Sequence, residues 1–291
     1  MSRETSAGVA TVTQLCEAFG ISRAAYYAAK KASPPAAKVV AIRRAPRHTA
    51  SEVALAAIRE VIKAEPAWGV RKVWATLQRK GLKVSRKRVH ALMRANGLVL
   101  ARDREPGETT RGHVAVPEPN RRFGGDLTTV WTKRDGWVAV VPTIDCGCRS
   151  VLGLTVTKDQ HGPAVLASVE QALREAFGEP RYVTGGVELR TDHGPQYTGA
   201  DCAALVAKWD IVHTFAPVGR PTGNAVAERL IRTMKEEVVW LRDWETADEL
   251  LEALLAWQRR YNTQRPHQAL GWKTPAEYRA EKLGLVVEEA A

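Results

Sequence analysis

The stretch Leu127–Val156 reads LTTVWTKRDGWVAVVPTIDCGCRSVLGLTV. It contains three runs rich in β-branched and aromatic residues: LTTVW, GWVAVVPTID and RSVLGLTV. Turn residues part them, and Lys133-Arg134-Asp135-Gly136 makes a good hairpin connection between the first two. Three consecutive strands make a meander. Downstream the pattern alternates. A helix is expected from about Gly162 to Phe177, then the strand VELRT (187–191), a helix near Ala200–Trp209 and the short run IVHTF (211–215). Two long helices, from about Asn224 and about Thr246, close the chain.

This succession is α/β: an RNase H-like mixed sheet flanked by helices, expected over residues 121–283, with 284–291 as a tail. Small all-α modules precede it. TQLCEAFGISRAAYYAAKK (Thr13–Lys31) divides into a short helix, Gly20 as a left-handed cap, Ser22 as the next N-cap and a second helix, a helix-turn-helix within residues 1–33. Residues 34–50, Ala, Pro and basic residues without period, read as a linker. Residues 51–104 form a second helical, DNA-binding unit of helix-turn-helix type. Ser51 is its first cap, a helix follows from about Gly69 to Gln78, and Gly81 stops it. Ser85 caps a third helix with Val89, Leu92 and Met93 as its buried stripe and Gly97 past its end. Residues 105–120, EPGETTRGHVAVPEPN, form a second linker.

The 291 residues suffice for one catalytic-sized domain and one or two small modules. A hydrophobic fraction of 45% with 26% charged residues excludes general disorder. The net charge of +11 is unevenly placed: residues 1–125 carry 24 Lys/Arg against 9 Asp/Glu, and residues 126–291 carry 19 against 23. A basic field confined to the first part suits a phosphate backbone; a solvated face that promotes solubility is the other reading. Arg86, Lys87 and Arg88 crowd the first turn of a helix, where positive charge opposes the helix dipole and where bound phosphate or base edges would justify it. Four cysteines (Cys16, Cys146, Cys148, Cys202) form neither a disulfide framework nor a zinc pattern, which suits a reducing cytosol. No apolar run approaches the roughly 18 residues of a membrane span, and no signal-peptide core is present, so a membrane or secreted protein is not expected.

Three acids carry the candidate chemistry. Asp126 opens the first strand of the meander, where a carboxylate is costly unless paired or metal-bound. Asp192 follows the strand VELRT, and ligand sites collect at such strand ends in open α/β sheets. Glu228 lies one turn into the helix from Asn224. Between Asp126 and Asp192 lie 65 residues, and between Asp192 and Glu228 lie 35. On the helix from Asn224, Ala227, Ile231, Met234 and Val238 form an apolar stripe, and Glu228, Arg232 and Lys235 form a charged row beside it. Taken alone, that row reads as an ordinary i,i+4 ion pair. Asp145, at the end of PTID, reads as a turn-forming or structural acid. His193 is expected to hold its loop by hydrogen bonds, with metal or phosphate binding as the alternative, and His213 is expected to be a core residue.

The blocks GGDLTTVW (124–131), LRTDHGPQYTG (189–199) and PTGNAVAERLIRTMKEE (221–237) resemble the three acidic blocks of insertion-sequence transposases of the retroviral-integrase-like DDE superfamily. The 35-residue interval matches that superfamily's usual spacing. The chain is most similar to the OrfB-type catalytic subunit of the IS-three family. WGVRKVWATLQRKGLKVSRKRVHALMRANGL (68–98) and YNTQRPHQALGWKTPAEY (261–278) share the likeness, which runs from Thr13 to Tyr278. Gly124-Gly125 replaces the bulkier residues usual before the first Asp, and Arg229 stands where a small residue usually follows the Glu.

The resemblance implies that Asp126, Asp192 and Glu228 are the catalytic and metal-holding triad, binding two Mg²⁺ ions that Mn²⁺ can replace. It makes Lys235 a contact to the DNA end; Arg232, Arg71, Lys72, Arg86, Lys87 and Arg88 are the other expected DNA contacts. The expected function is cleavage of insertion-element ends and strand transfer into DNA. It further implies double-stranded DNA as partner, an upstream OrfA-type partner or fusion, a homo-oligomer on DNA, and a bacterial cytoplasmic, nucleoid-associated location. Two alternatives stand beside it: a DNA-binding regulator of transposition with an inert core, and a nuclease of the same fold that cuts without joining.

Overall fold

A computed structural model describes residues 11–31, 50–100, 116–216 and 224–285. Most of the expected linkers, the end of the tail and the segment just before Asn224 lie outside the described residues. The chain divides into two compact units, Met1–Arg47 and His48–Ala291. In the first, α1 (Val12–Ala18) is capped by Thr11, whose side chain exchanges hydrogen bonds with Gln14. Gly20 takes φ +64°, and Ser22 Oγ accepts the Ala25 N–H (3.1 Å) at the start of α2 (Arg23–Lys31). The glycine cap and serine N-cap stand where the sequence indicated.

The second unit begins with α3 (Ser51–Ala64), α4 (Val70–Arg79) and α5 (Arg86–Ala95). Ile58, Trp68, Val73, Leu77, Val89 and Met93 form their shared core. Ser85 caps α5 as expected, its hydroxyl accepting the Arg88 N–H. Ser51 does not cap α3. Ala50 holds the cap position, and the Ser51 hydroxyl instead accepts from the Arg88 guanidinium at 2.6 Å, tying α3 to α5.

The sheet contains β1 (Arg122–Gly125), β2 (Thr128–Thr132), β3 (Gly136–Asp145), β4 (Val151–Thr157), β5 (Glu188–Thr191) and β6 (Val212–Phe215). The hairpin through Lys133–Gly136 pairs Thr132 with Gly136, as the turn residues suggested. The first strand of the meander is broken. Its two halves share one edge of β3, β2 along Gly136–Val140 and β1 along Thr143–Asp145, while β4 takes the opposite edge antiparallel. β1 then pairs parallel with β5, and β5 parallel with β6. The result is a mixed α/β sheet. Asp126 does not open a strand; it sits in the break between β1 and β2.

Both faces of the sheet are covered, which is why β3 reads as an almost continuous apolar run rather than an alternating one. Ala139 and Val141 pack toward α6 (Gly162–Phe177) and α8 (Ala200–Trp209). Val138, Val140 and Ile144 pack on the other face toward α9 (Ala225–Glu237) and α10 (Ala247–Thr263). A one-turn helix, α7 (Pro195–Thr198), follows β5, and a further helix, α11 (Pro275–Leu283), comes after the two expected to close the chain. Its signature in the sequence is the capping box of Thr274 with Glu277. Gly153 on β4 lets α6 approach: a Cβ there would stand 1.9 Å from the Ser168 carbonyl oxygen.

The helical module is joined to the catalytic-sized domain through Glu237, the last residue of α9 and 7% exposed. One of its oxygens accepts from Lys72 Nζ (2.8 Å) and Arg265 Nε (3.0 Å), the other from Trp257 Nε1 (3.0 Å). Burial would raise this carboxyl's pKa, but Arg265 and Lys72 bring it below its usual value. Arg260 with Glu65 (3.1 Å), Arg79 with Glu277 and Arg71 with Gln268 (3.2 Å) extend the seam.

Two substitutions test this packing. Gly153→Ala should cost at least about 1–3 kcal/mol, read from the urea midpoint, because the atom displaced is backbone. Glu237→Ala should cost about 3–5 kcal/mol in the same measurement, because it leaves Lys72 and Arg265 without their shared carboxylate.

Candidate active site

Strand register brings the first two acids together. Phe123 lies beside Leu189 and Gly124 beside Arg190 in the parallel β1–β5 pair. Continuing two residues along each chain puts Asp126 and Asp192 past the carboxyl ends of neighbouring strands, and neighbouring strands run about 4.8 Å apart. The Asp126 Oδ1 accepts the Leu127 N–H (2.8 Å), and the Asp192 Oδ1 accepts the Gly194 N–H (3.0 Å), so each carboxylate is oriented by its own turn. The third acid arrives on α9. Buried Asn224, at the cap position, makes no side-chain cap; its Nδ2 donates to the Gly125 carbonyl (3.0 Å) and fastens the start of α9 to the residue before Asp126. Glu228 is in the first turn of that helix and points outward, while Ala227, Leu230, Ile231 and Met234 are buried against the sheet.

The fit is close at this junction. A Cβ on Gly124 would meet Asn224 Oδ1 at 3.3 Å and Ala227 Cβ and Cys146 Sγ at 3.4 Å. The bare Gly124 admits α9 to the end of β1.

The charges of Asp192 and Glu228 both act on Asp126. Asp126 is half-buried, and its pKa is pushed up to about 6, first by desolvation and then by the charges of Asp192 and Glu228; the Leu127 N–H and Lys235 oppose the rise. Burial also raises Glu228. Among the described residues no three His, Cys, Asp or Glu side chains close to within reach of a single ion. Asp192 and Glu228 reach Asp126 through their charges. An all-oxygen donor set carrying uncompensated negative charge suits a hard divalent cation such as Mg²⁺. Tyr197 on α7, absent from the residues singled out in the sequence, feels the charges of both Asp126 and Asp192, which add to burial in raising its phenol.

Other expected residues divide. Asp145 is fully buried and structural: it accepts the N–H groups of Asn120 (2.7 Å), Gly147 (2.8 Å) and Cys148 (3.3 Å), and Arg279 lies at 3.3 Å. Among the described residues His193 has no hydrogen bond that holds its loop; its ring stacks on Phe215, centroids 4.7 Å apart. His213 is half-buried and bonded to the Thr191 hydroxyl (2.9 Å). Arg232 pairs with Glu236 (2.8 Å), so Glu228 is not drawn into the i,i+4 pair that the helix row offered. A groove of about 1350 Å³ separates the helical module from the outer face of α9, with Arg71, Arg86 and Lys87 on one wall and Arg229 and Arg232 on the other. Lys72 also lines it, but its ammonium is engaged by Glu237, which corrects its expected role as a DNA contact. The Arg88 guanidinium is similarly turned to Ser51.

Comparison with known proteins gives the following likenesses. Two models described as "Integrase core domain" match residues 116–221 and 210–275, and one described as "HTH-like domain" matches residues 50–106. The chain carries an integrase core. It is homologous to the InsD transposases of insertion element IS2 in Escherichia coli: that for IS2D is 29% identical over 248 residues, 81% of this chain and 81% of the relative, and that for IS2-9 is equally identical and covered to 79%. Weaker structural likenesses extend to a simian T-cell lymphotropic virus intasome structure (18% identity, 80% of this chain and 78% of that one, TM-score 0.47) and to the BIV integrase catalytic core (20%, 57% and 97%, TM-score 0.42). Among the described residues no helix is long and apolar enough to cross a membrane.

The raised pKa of Asp126 makes the integrase core's stability depend on pH with a definite sign. Its native pKa of about 6 exceeds the ordinary aspartate value of 3.8, so the ionised carboxylate weakens the fold above about pH 6 and the penalty disappears below about pH 4. In EDTA, Asp126→Asn should therefore raise the urea midpoint relative to wild type at pH 8. At pH 4 the two should nearly coincide.

Proposed function

We propose that this chain is the catalytic subunit of a DNA transposase that cuts the ends of its insertion element and joins them to target DNA. Asp126, Asp192 and Glu228 are its catalytic triad and together hold two Mg²⁺ ions, which Mn²⁺ can replace. The observation that carries this reading is the placement of three carboxylates, at the ends of two parallel strands and on the first turn of α9, where burial first and the charges of Asp192 and Glu228 next lift Asp126 to about 6. Two such ions supply an activated nucleophile and stabilise the departing oxygen.

The residues divide the remaining work. The carboxylates supply oxygen ligands whose directions are set by the Leu127 and Gly194 N–H groups. Lys235, on α9 beyond Glu228, holds the DNA end near them. In the first step water displaces the 3′-oxygen of a phosphodiester at the element's end, leaving a 3′-OH. In the second that 3′-OH attacks a target phosphodiester and displaces its 3′-oxygen, so one bond is exchanged for another. The groove between α9 and the HTH-like module is the path for duplex DNA: Arg71, Arg86 and Lys87 neutralise phosphates from one wall, Arg229 and Arg232 from the other. Residues 51–104 act as the DNA-binding domain and 121–283 as the catalytic core, working as an oligomer on DNA with an OrfA-type partner or fusion.

Labelled DNA bearing the element's ends tests the chemistry. Wild type with Mg²⁺ should give cleaved and joined products; Asp192→Asn and Glu228→Gln should bind the same DNA and give none. Binding without product by wild type, with the upstream partner supplied, would leave a regulator instead. The DNA path has its own test: Arg229→Ala with Arg232→Ala should weaken binding of many sequences alike and reduce the slope of log K against log salt by about 0.9 for each phosphate that is no longer neutralised.

A further inference from the structure

Tyr197 presents an oxygen that its packing does not explain. The side chain is 2% exposed and belongs to the core that Phe123, Val165 and Trp209 build beneath α6 and α8. Its backbone N–H donates to the Gly194 carbonyl (2.9 Å), so the residue is fixed on the same turn that orients Asp192. The hydroxyl is buried without a hydrogen-bond partner among the described residues. Such an orphan costs about 1–3 kcal/mol, and phenylalanine would fill the same volume without that penalty. The oxygen lies 3.6 Å from where a side chain on Gly125, the residue before Asp126, would begin. The carboxylates of Asp126 and Asp192 both act on it electrostatically, and as an un-ionised phenol it carries a proton that it can donate.

We propose that Tyr197 is a positioning residue of the metal site: its O–H donates to a carboxylate oxygen of the Asp126–Asp192 pair when the acids close on a divalent cation, and thereby fixes which oxygens face the ion. This inference rests on the triad reading. Outer-sphere partners of this kind typically change metal affinity by about 10–100-fold.

Tyr197→Phe separates this role from a packing role. Mn²⁺ titration followed by electron paramagnetic resonance should show its affinity about 10–100-fold below wild type. In EDTA its urea midpoint should equal or exceed that of wild type, since only an unpaired oxygen is removed. Wild-type Mn²⁺ affinity in Tyr197→Phe would overturn the proposal. So would a lowered midpoint in EDTA, because the hydroxyl would then be bonded without metal. Asp126→Asn and Asp192→Asn belong in the same titration: retained Mn²⁺ binding in those variants would sink the triad reading, whereas loss there with no change in Tyr197→Phe would sink this inference alone.

Discussion

The parallel pairing of β1 with β5 is the contact on which the candidate site depends. Asp126 and Asp192 are separated by 65 intervening residues, and nothing local draws them together. Once Phe123 lies beside Leu189 and Gly124 beside Arg190, both chains leave the sheet at the same end, each on an acid. A shift of one residue in that register would turn β5 over and send Leu189, now fully buried, to the opposite face. The hydrophobic core therefore holds the geometry of the acids: the free energy that buries Phe123 and Leu189 also forces two carboxylates into proximity that they would not choose.

That enforced proximity has to be held from outside the sheet as well. α9 brings a third carboxylate toward the first two, and electrostatics alone would push it away. Asn224 opposes this by binding the Gly125 carbonyl, and the buried stripe of Ala227, Leu230 and Met234 opposes it by packing on β3. At its other end α9 finishes on Glu237, shared by Lys72 and Arg265. One helix thus carries the acid at its start and the anchor of the HTH-like module at its end. The basic walls of the groove are positioned against Glu228 by a continuous rigid element, and a module on a free tether would have no such constraint.

The legibility of the sequence followed the range of the interactions. β-rich runs, Gly20, Gly81 and Gly97 as helix stops, and Ser22 and Ser85 as caps are local effects, and the structure contains them at those residues. Ser51 misled because a hydroxyl at a helix start can serve its own helix or a neighbour, and the choice went to Arg88 on α5. Lys72 misled for the same reason: a lysine on a basic helix looks like a phosphate contact until a buried carboxylate 165 residues away claims it. Tyr197 gave no signal, since a tyrosine in a short turn is an ordinary packing residue, and only the surroundings of its oxygen distinguish it from phenylalanine.

By itself, then, the sequence determined the α/β class, most of the succession of elements, the three acids and their spacing, because residue identity and periodicity act over a few residues and survive without a fold. Only the tertiary structure decided that the first strand breaks at Asp126, that Asp126 and Asp192 follow the ends of neighbouring parallel strands, that the HTH-like module is locked to α9 through Glu237, and that the buried Tyr197 hydroxyl, with no partner among the described residues, feels the charges of two of the acids. These depend on strand register and on burial, and both are properties of the whole chain: a carboxylate has the same intrinsic chemistry anywhere, but its pKa and its partners are set by what the fold brings within a few ångströms of it.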